Sequence, residues 1–403
     1  MNSPQDKLSQ PLTLLGGISP QRFMREYWQR KPLLIRQAIP GFRPALSIQD
    51  IRQLVKREEV ESRLIWRDEQ GWNMKQGPFQ RLPAMKRPDW TVLAQSVDLH
   101  DDRMAELLHR FRFIGDARLD DAMISIASDG GGVGPHFDSY DVFLLQAHGK
   151  REWRISQQSD LSLTPGLPLK ILKNFQAEDT YVLEPGDMLY LPPHVAHDGI
   201  ARGDCMTISI GFRTAGRATL AHGLLEAAAD QVMARAGEAG GLYGHPVLPG
   251  ARLEGNYHDR GQRPTATPAR IPDQLIGFAL DAVNKVRFDE ALASRFLGMW
   301  LTNPPEAAWF DPPDDPLDLV EHWPLPGRLV LDRCTRMMYS GKALYINGEV
   351  ASIAAGAAMC SLADERALDC SDASVRRLPI AAREALNDWL EQGWLHYLAP
   401  DKD

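Results

Sequence analysis

The stretch GGGVGPHFDSYDVFLLQAHGKREWRIS, residues 130–156, decides how this chain folds, and EPGDMLYLPPHVAHDG, residues 184–199, is its counterpart. The first stretch carries His136 and Asp138, two residues apart. On a strand that spacing sends both side chains to one face. A histidine and a carboxylate sharing a face are costly to bury without a partner charge or a metal. The second stretch reads as a tight turn at Pro185-Gly186-Asp187, a short apolar strand over 188–191, then Pro192-Pro193 and His197. If the two strands are neighbours, His136, Asp138 and His197 converge. Two imidazoles and one carboxylate, with three positions left open, form the donor set of a facial triad for non-haem iron. Without a metal, His136 and Asp138 would be a hydrogen-bonded pair and His197 a loop residue.

The glycines add a second spacing. Gly130 stands six residues before His136; Gly186 stands six before Pro192 and eleven before His197. This double pattern resembles the two half-motifs of the cupin superfamily, and His-x-Asp followed by a distant His resembles its JmjC branch. The resemblance implies that His136, Asp138 and His197 bind a metal. The cupin pattern usually has glycine where His194 stands, so a left-handed backbone there would put modest strain on a histidine. His194 is also a rival ligand, and the family spacing favours His197.

Downstream, Arg151-Glu152-Trp153-Arg154-Ile155 alternates as a half-buried strand does. Trp153 and Ile155 set the inner face, so Arg151 points inward, while Lys150 and Arg154 face solvent. A buried guanidinium needs an anion, and its planar fork suits a carboxylate; an internal salt bridge is the alternative. In JmjC oxygenases a basic residue fifteen positions after the first metal histidine binds the distal carboxylate of 2-oxoglutarate, and Arg151 occupies that place.

With these motifs in view, the chain resembles the bacterial JmjC ribosomal oxygenases, most densely up to Arg213. The resemblance implies Fe(II) as metal, 2-oxoglutarate as cosubstrate and O2 as oxidant. It implies hydroxylation of an arginine, at its β-carbon, in the sixteenth protein of the large ribosomal subunit. An aspartate and a methionine on one strand and a tyrosine just after His-x-Asp hold the target side chain in that family; Asp121, Met123 and Tyr140 fit those places. Read without the family, these three are a strand-edge carboxylate and two core residues. Thr207 and Ser209 are both candidates to hydrogen-bond the cosubstrate. The alternatives are a JmjC histidine hydroxylase or demethylase of another protein, a cupin metalloenzyme acting on a small molecule, and a silent JmjC scaffold.

Composition bounds the rest. At 403 residues the chain should hold two or three domains. With 44% hydrophobic and 24% charged residues it has a globular composition. A net charge of −8 argues against a general nucleic-acid binder and suits a basic protein partner. The four cysteines, Cys205, Cys334, Cys360 and Cys370, lack metal-ligand spacing and read as reduced thiols. The polar amino terminus and the lack of a long apolar run point to the cytoplasm and to no membrane.

In order, residues 1–12 read as a disordered tail, and 13–215 as the JmjC/cupin catalytic domain. A helix carries Phe23, Tyr27 and Trp28, Pro32 breaks it, and 33–35 form a strand. Ser47 caps a helix over 48–57. A hairpin spans 64–72, a helix 101–111 and a strand 117–128. Strand, turn and strand fill 143–155; 157–178 is a surface excursion; strands follow at 181–183, 188–191 and 207–212. Residues 216–303 read as a helical block for homodimerisation, with His245 and His258 exposed on a Gly- and Pro-rich connection. Residues 304–326 form a linker, and 327–403 a winged-helix-like domain with a turn at Asn347-Gly348. The expected fold class is therefore α+β: a double-stranded β-helix (JmjC/cupin jelly roll), then helices, then the winged-helix-like domain.

Overall fold

The computed structural model describes residues 8–400. These divide into two compact units: one runs to Thr214 and takes in Ala307–Trp309, and the other comprises Ala215–Glu306 and the chain from Phe310 onward. Of the expected tail, residues 1–7 lie outside the described residues; Leu12 pairs with Ile18, and Leu14 and Leu15 are buried, so order sets in before residue 13.

Local signals start the first unit. Ser19 accepts from the Arg22 N–H at 3.2 Å, and Pro20 opens helix α1 (Pro20–Glu26). Strand β1 (Leu33–Ile35) follows. Ser47 and Asp50 close a capping box on α2 (Ile48–Leu54). The hairpin is β2 (Ser62–Asp68) and β3 (Gly71–Gln76), and Asp101 caps α3 (Asp102–His109). Between them runs β4 (Trp90–Ala94), which the sequence reading lacks. All of its residues are buried, so WTVLA shows no alternation to betray it.

The remaining strands are β5 (Leu119–Ala127), β6 (Val142–Ser156), β7 (Asp179–Leu183), β8 (Met188–Leu191) and β9 (Ala196–Phe212). Together they make a nine-stranded antiparallel sheet in the order β1-β8-β6-β9-β5-β4-β2-β3, with β7 paired to β6. Two expectations are corrected here. Strand, turn and strand over 143–155 is one strand, β6, whose register against β9 shifts between Gln146 and Lys150. Gly149, at φ 63°, lies so close to the Asp204 carbonyl that no Cβ would fit, and this kink does what the expected turn would have done. The last strand begins at Ala196 rather than at 207, which makes His197 a strand residue.

The kinked strands separate two apolar layers. Phe143, Leu145, Ile208 and Ile210 pack with Phe23, Ile51, Met104 and Leu107 from the helices. Val142, Leu144, Trp153 and Ile155 pack with Leu183, Leu189, Leu191 and Val195 on the other face. Asp187 ties the turn before β8 to the amino-terminal segment, accepting from the Gln37 N–H at 2.9 Å and from Arg36 Nη1 at 2.6 Å. Burial pushes its carboxyl up, but the Gln37, Arg36 and Glu184 donors outweigh that and hold it below the usual range. The excursion over 157–178 returns to the sheet through Leu172, whose N–H donates to the Pro135 carbonyl at 2.8 Å.

The second unit opens with α4 (Arg217–Arg235), α5 (Asp273–Asn284) and α6 (Glu290–Thr302). Gly223 on α4 lets the Phe296 ring of α6 lie directly on the helix backbone. In contrast, α5 buries none of its residues, although Leu275, Ile276, Phe278, Leu280 and Val283 lie on it. His245 and His258 are exposed.

Strands β10 (Arg328–Leu331), β11 (Met337–Ser340), β12 (Ala343–Ile346), β13 (Glu349–Val350), β14 (Ala367–Asp369) and β15 (Leu395–Leu398) form two small sheets, β14-β10-β15 and β11-β12-β13. Helices α7 (Ala357–Glu365) and α8 (Ile380–Glu391) pack with them. Asn347 and Gly348 both take positive φ, 47° and 85°, as a two-residue hairpin turn requires. Within 304–326, Leu319, Trp323 and Leu325 are buried in the same core as Leu386 and Trp389.

Candidate metal centre

His136 and His197 face each other across a single antiparallel bridge. The His136 N–H donates to the His197 carbonyl at 2.9 Å, and the His197 N–H to the His136 carbonyl at 2.7 Å. Their rings stand 4.2 Å apart between centroids. Asp138 completes the group: one ligand atom from each of the three residues lies within 4.8 Å of the others. The Asp138 carboxylate oxygen is 3.7 Å from His197 Nε2. His194 is exposed, adopts φ 66° and donates its N–H to the Asp138 carbonyl at 2.8 Å. The anticipated left-handed backbone is thus present, and this rival histidine stands outside the cluster.

Backbone carbonyls fix both imidazoles. His136 Nδ1 lies 2.8 Å from the Gly134 carbonyl, and His197 Nδ1 2.9 Å from the Val195 carbonyl. A carbonyl only accepts, so each Nδ1 carries the proton and each Nε2 lone pair is bare. That is the tautomer a metal requires. Burial, then the neighbouring His136, push the His197 pKa down, against the opposing pull of Asp138. Its neutral, ligating form is thereby favoured at neutral pH. No sequence pattern reports these carbonyl partners, since the backbone is the same at every residue.

Arg151 is buried on the same strand as Trp153, with its Cζ 5.6 Å from the Trp153 ring centroid. Its Nε and Nη2 meet no acceptor among the described residues. The internal salt bridge is therefore not what this guanidinium makes with those two nitrogens. A buried guanidinium with unmet donors is costly unless an anion meets it, and its planar fork suits a carboxylate. The neighbouring cations do face outward, the Lys150 and Arg154 side chains being 57% and 43% exposed. Lys150 pairs with Glu184 in solvent, but Arg154 reaches a buried carboxylate, Glu152, which Arg202 also holds.

Asp121, at the start of β5, accepts from both the N–H and the hydroxyl of Ser96, at 3.0 and 3.2 Å. Ser96 itself is left-handed, φ 47°. Met123 is half-buried and faces Ser209 in the β5–β9 register. Tyr140 is partly exposed and lies near the Asp138 and Asp121 carboxylates. Burial first, then the Asp138 and Asp121 carboxylates, raise its pKa above the ordinary tyrosine range. Of the two cosubstrate candidates, Thr207 spends its hydroxyl on Gln146 Oε1 at 3.1 Å. Ser209 is buried nearby.

The sequence reading missed Asp141. Fully buried, it accepts from the Tyr190 hydroxyl at 2.6 Å, Gln29 Nε2 at 3.0 Å and Arg118 Nη2 at 3.3 Å. It anchors the loop that carries Asp138 and Tyr140 to three distant elements. An acid adjoining a tyrosine in a Ser-Tyr-Asp-Val run offers no signal of that role.

Residues 106–220 match the JmjC domain family, and residues 285–396 match a ROXA-like winged helix. The chain is 31% identical to the ribosomal protein uL16 3-hydroxylase of Escherichia coli, over 81% of this chain and 84% of that protein. It is 36% identical to a probable ribosomal oxygenase of Haemophilus influenzae, over about half of each chain (51% and 52%). A solved E. coli ribosomal oxygenase in complex with cobalt and 2-oxoglutarate superposes with a TM-score of 0.74 at 25% identity, covering 94% of this chain and 97% of that one. Fold, donor set and these likenesses define an Fe(II)- and 2-oxoglutarate-dependent dioxygenase of the JmjC type, built on a cupin-like β-helix. Within that class the chain belongs to the ribosomal oxygenase family, the protein hydroxylases that carry a winged helix after the JmjC domain.

Proposed function

We propose that this chain hydroxylates an arginine side chain, at its β-carbon, in the large-subunit ribosomal protein uL16. His136, Asp138 and His197 are the Fe(II) ligands in this reading. Arg151 holds the distal carboxylate of 2-oxoglutarate, and Asp121, Met123 and Tyr140 hold the target. The observation that carries the reading is the pairing of three convergent ligand atoms with a buried arginine whose Nε and Nη2 lack acceptors. Iron with 2-oxoglutarate and O2 supplies an oxidant able to hydroxylate an unactivated C–H bond. The chain's own part is positional. The Gly134 and Val195 carbonyls aim the two Nε2 lone pairs, Arg151 sets the direction of the keto acid, and the Ser96-bound Asp121 presents a fixed negative charge to a cationic side chain.

That charge also favours arginine over histidine as the target, since a guanidinium stays cationic at any physiological pH. Mass spectrometry of ribosomal proteins from cells with and without this chain tests the reading. One arginine of uL16 should gain the mass of one oxygen atom only when the chain is present; a gain on a histidine, or none, would overturn it. Release of formaldehyde would instead mark a demethylase.

The same reading places the protein in the cytoplasm, where its ribosomal substrate is made. It is supported by the four cysteines, which are all free thiols. The block over 216–303 serves as the homodimer contact, because α5 presents its apolar residues to solvent. The winged-helix-like domain over 327–403 binds protein or supports structure and does not bind nucleic acid directly, in keeping with the net charge of −8.

A further inference from the structure

Trp153 carries the other unmet donor beside the metal centre. It is buried, 5% exposed, and its indole Nε1 has no hydrogen-bond acceptor among the described residues. An indole N–H that lies within a packed interior usually finds a partner. The position of the ring explains why the missing partner matters. Its centroid lies 5.6 Å from Arg151 Cζ and 5.8 Å from the centroid of the His197 ring. A keto acid held between a metal at His197 and the Arg151 guanidinium would have Trp153 as a neighbour of both its anchors.

The ring is also held in place. Its benzo edge lies against the Cα of Gly199, so closely that no Cβ would fit there. The N–H is on the opposite side of the indole and is turned away from that contact. Apolar packing alone would be served as well by phenylalanine, and it leaves the cost of a buried, unpaired donor unexplained. Three unmet donors, Arg151 Nε, Arg151 Nη2 and Trp153 Nε1, belong to two neighbouring side chains, with Arg151 Cζ 5.6 Å from the Trp153 ring centroid. A single carboxylate offers about four lone-pair sites, enough to take all three.

We propose that the Trp153 indole N–H is a direct donor to 2-oxoglutarate, sharing its distal carboxylate with Arg151. Trp153 is then a cosubstrate-binding residue in its own right. This inference rests on the proposed role of Arg151 and can fail without it.

The test uses the full-length protein loaded with Mn(II), which binds keto acid without turnover, and measures 2-oxoglutarate affinity by calorimetry. Trp153→Phe keeps an aromatic ring and removes only the donor and the outer edge. It should weaken 2-oxoglutarate about tenfold, as loss of one hydrogen bond to a charged group does. It should leave the affinity for 2-oxobutanoate, which lacks the distal carboxylate, and for Mn(II) itself unchanged. Arg151→Met should weaken 2-oxoglutarate further in the same assay. Unchanged 2-oxoglutarate affinity in Trp153→Phe, or equal weakening of both keto acids, overturns the inference while leaving Arg151 in place. Failure of the unaltered protein to bind 2-oxoglutarate would overturn the underlying reading instead.

A measurement on unaltered protein covers the case in which Trp153→Phe does not fold. With Zn(II) in the site and 15N-labelled indoles, 2-oxoglutarate should move one indole N–H resonance strongly downfield, and 2-oxobutanoate should not. If no indole resonance responds, or if one responds equally to both, the proposal is wrong.

Discussion

The interior of the β-helix and the surface of α5 break the same rule in opposite directions. Inside, Arg151, Trp153 and His197 are polar groups at 4%, 5% and 3% exposure, and two of them carry donors that meet no acceptor among the described residues. On α5, Ile276, Leu280 and Val283 are aliphatic side chains at 46%, 59% and 65% exposure. A folded chain minimises both kinds of exception. Where they persist, each describes the partner that would relieve it. Unmet buried donors call for an anion small enough to enter a closed interior. An uncovered apolar helix calls for a surface large enough to cover it. In the proposed reading the two regions therefore divide the molecule's tasks into chemistry and assembly.

The sharpest way to break this comparison is at the metal. His136→Ala removes one of three ligand atoms and should abolish both tight Mn(II) binding and hydroxylation, while the helix content by circular dichroism stays the same. A protein that keeps full metal affinity without His136 would show that the cluster is an ordinary polar group.

Next in size is the anion. Arg151→Met replaces a buried cation by an apolar chain of similar length. Loss of a desolvated, charge-assisted contact is worth about 2–5 kcal/mol, so 2-oxoglutarate affinity should drop about a hundredfold, read as a raised KM with kcat less affected. Removing an unsatisfied buried charge should also raise the melting temperature of the cosubstrate-free protein. A fall in melting temperature would mean that Arg151 supports the fold through a contact of its own.

How far these features could be read beforehand differs by region for physical reasons. His136, Asp138 and His197 are conspicuous because their side chains do the chemistry and the glycine spacings around them set a recognisable turn geometry. Arg151 shows through the alternation of its own strand. The Gly134 and Val195 carbonyls that orient the imidazoles leave no trace in side-chain identity. The continuity of β6 is hidden because Gly149 and its exposed neighbours look like a turn, and only pairing with the kinked part of β9 makes them a strand. Strand β4 is invisible for the opposite reason, being buried on both faces. In the second unit helices were legible from composition, but the exposure of α5 was not. Its apolar residues read like any core helix until its surroundings are known.

The mildest perturbation separates the two regions best, because it can be made identically in both. Leu189→Ala, in the layer with Trp153 and Ile155, opens a cavity where Leu189 is fully buried. It should cost about 3 kcal/mol in urea unfolding, whatever the protein concentration. Leu280→Ala removes the same atoms from α5. In a protomer whose Leu280 faces water it should cost under about 0.5 kcal/mol, the range of ordinary surface changes. If a second copy covers α5, the loss becomes larger when measured at concentrations where the dimer forms, and falls back on dilution, because association contributes to stability by mass action. Sedimentation should show the same shift toward monomer. A Leu280→Ala cost that stays small at every concentration would leave α5 exposed without a function, and would remove the assembly half of the comparison.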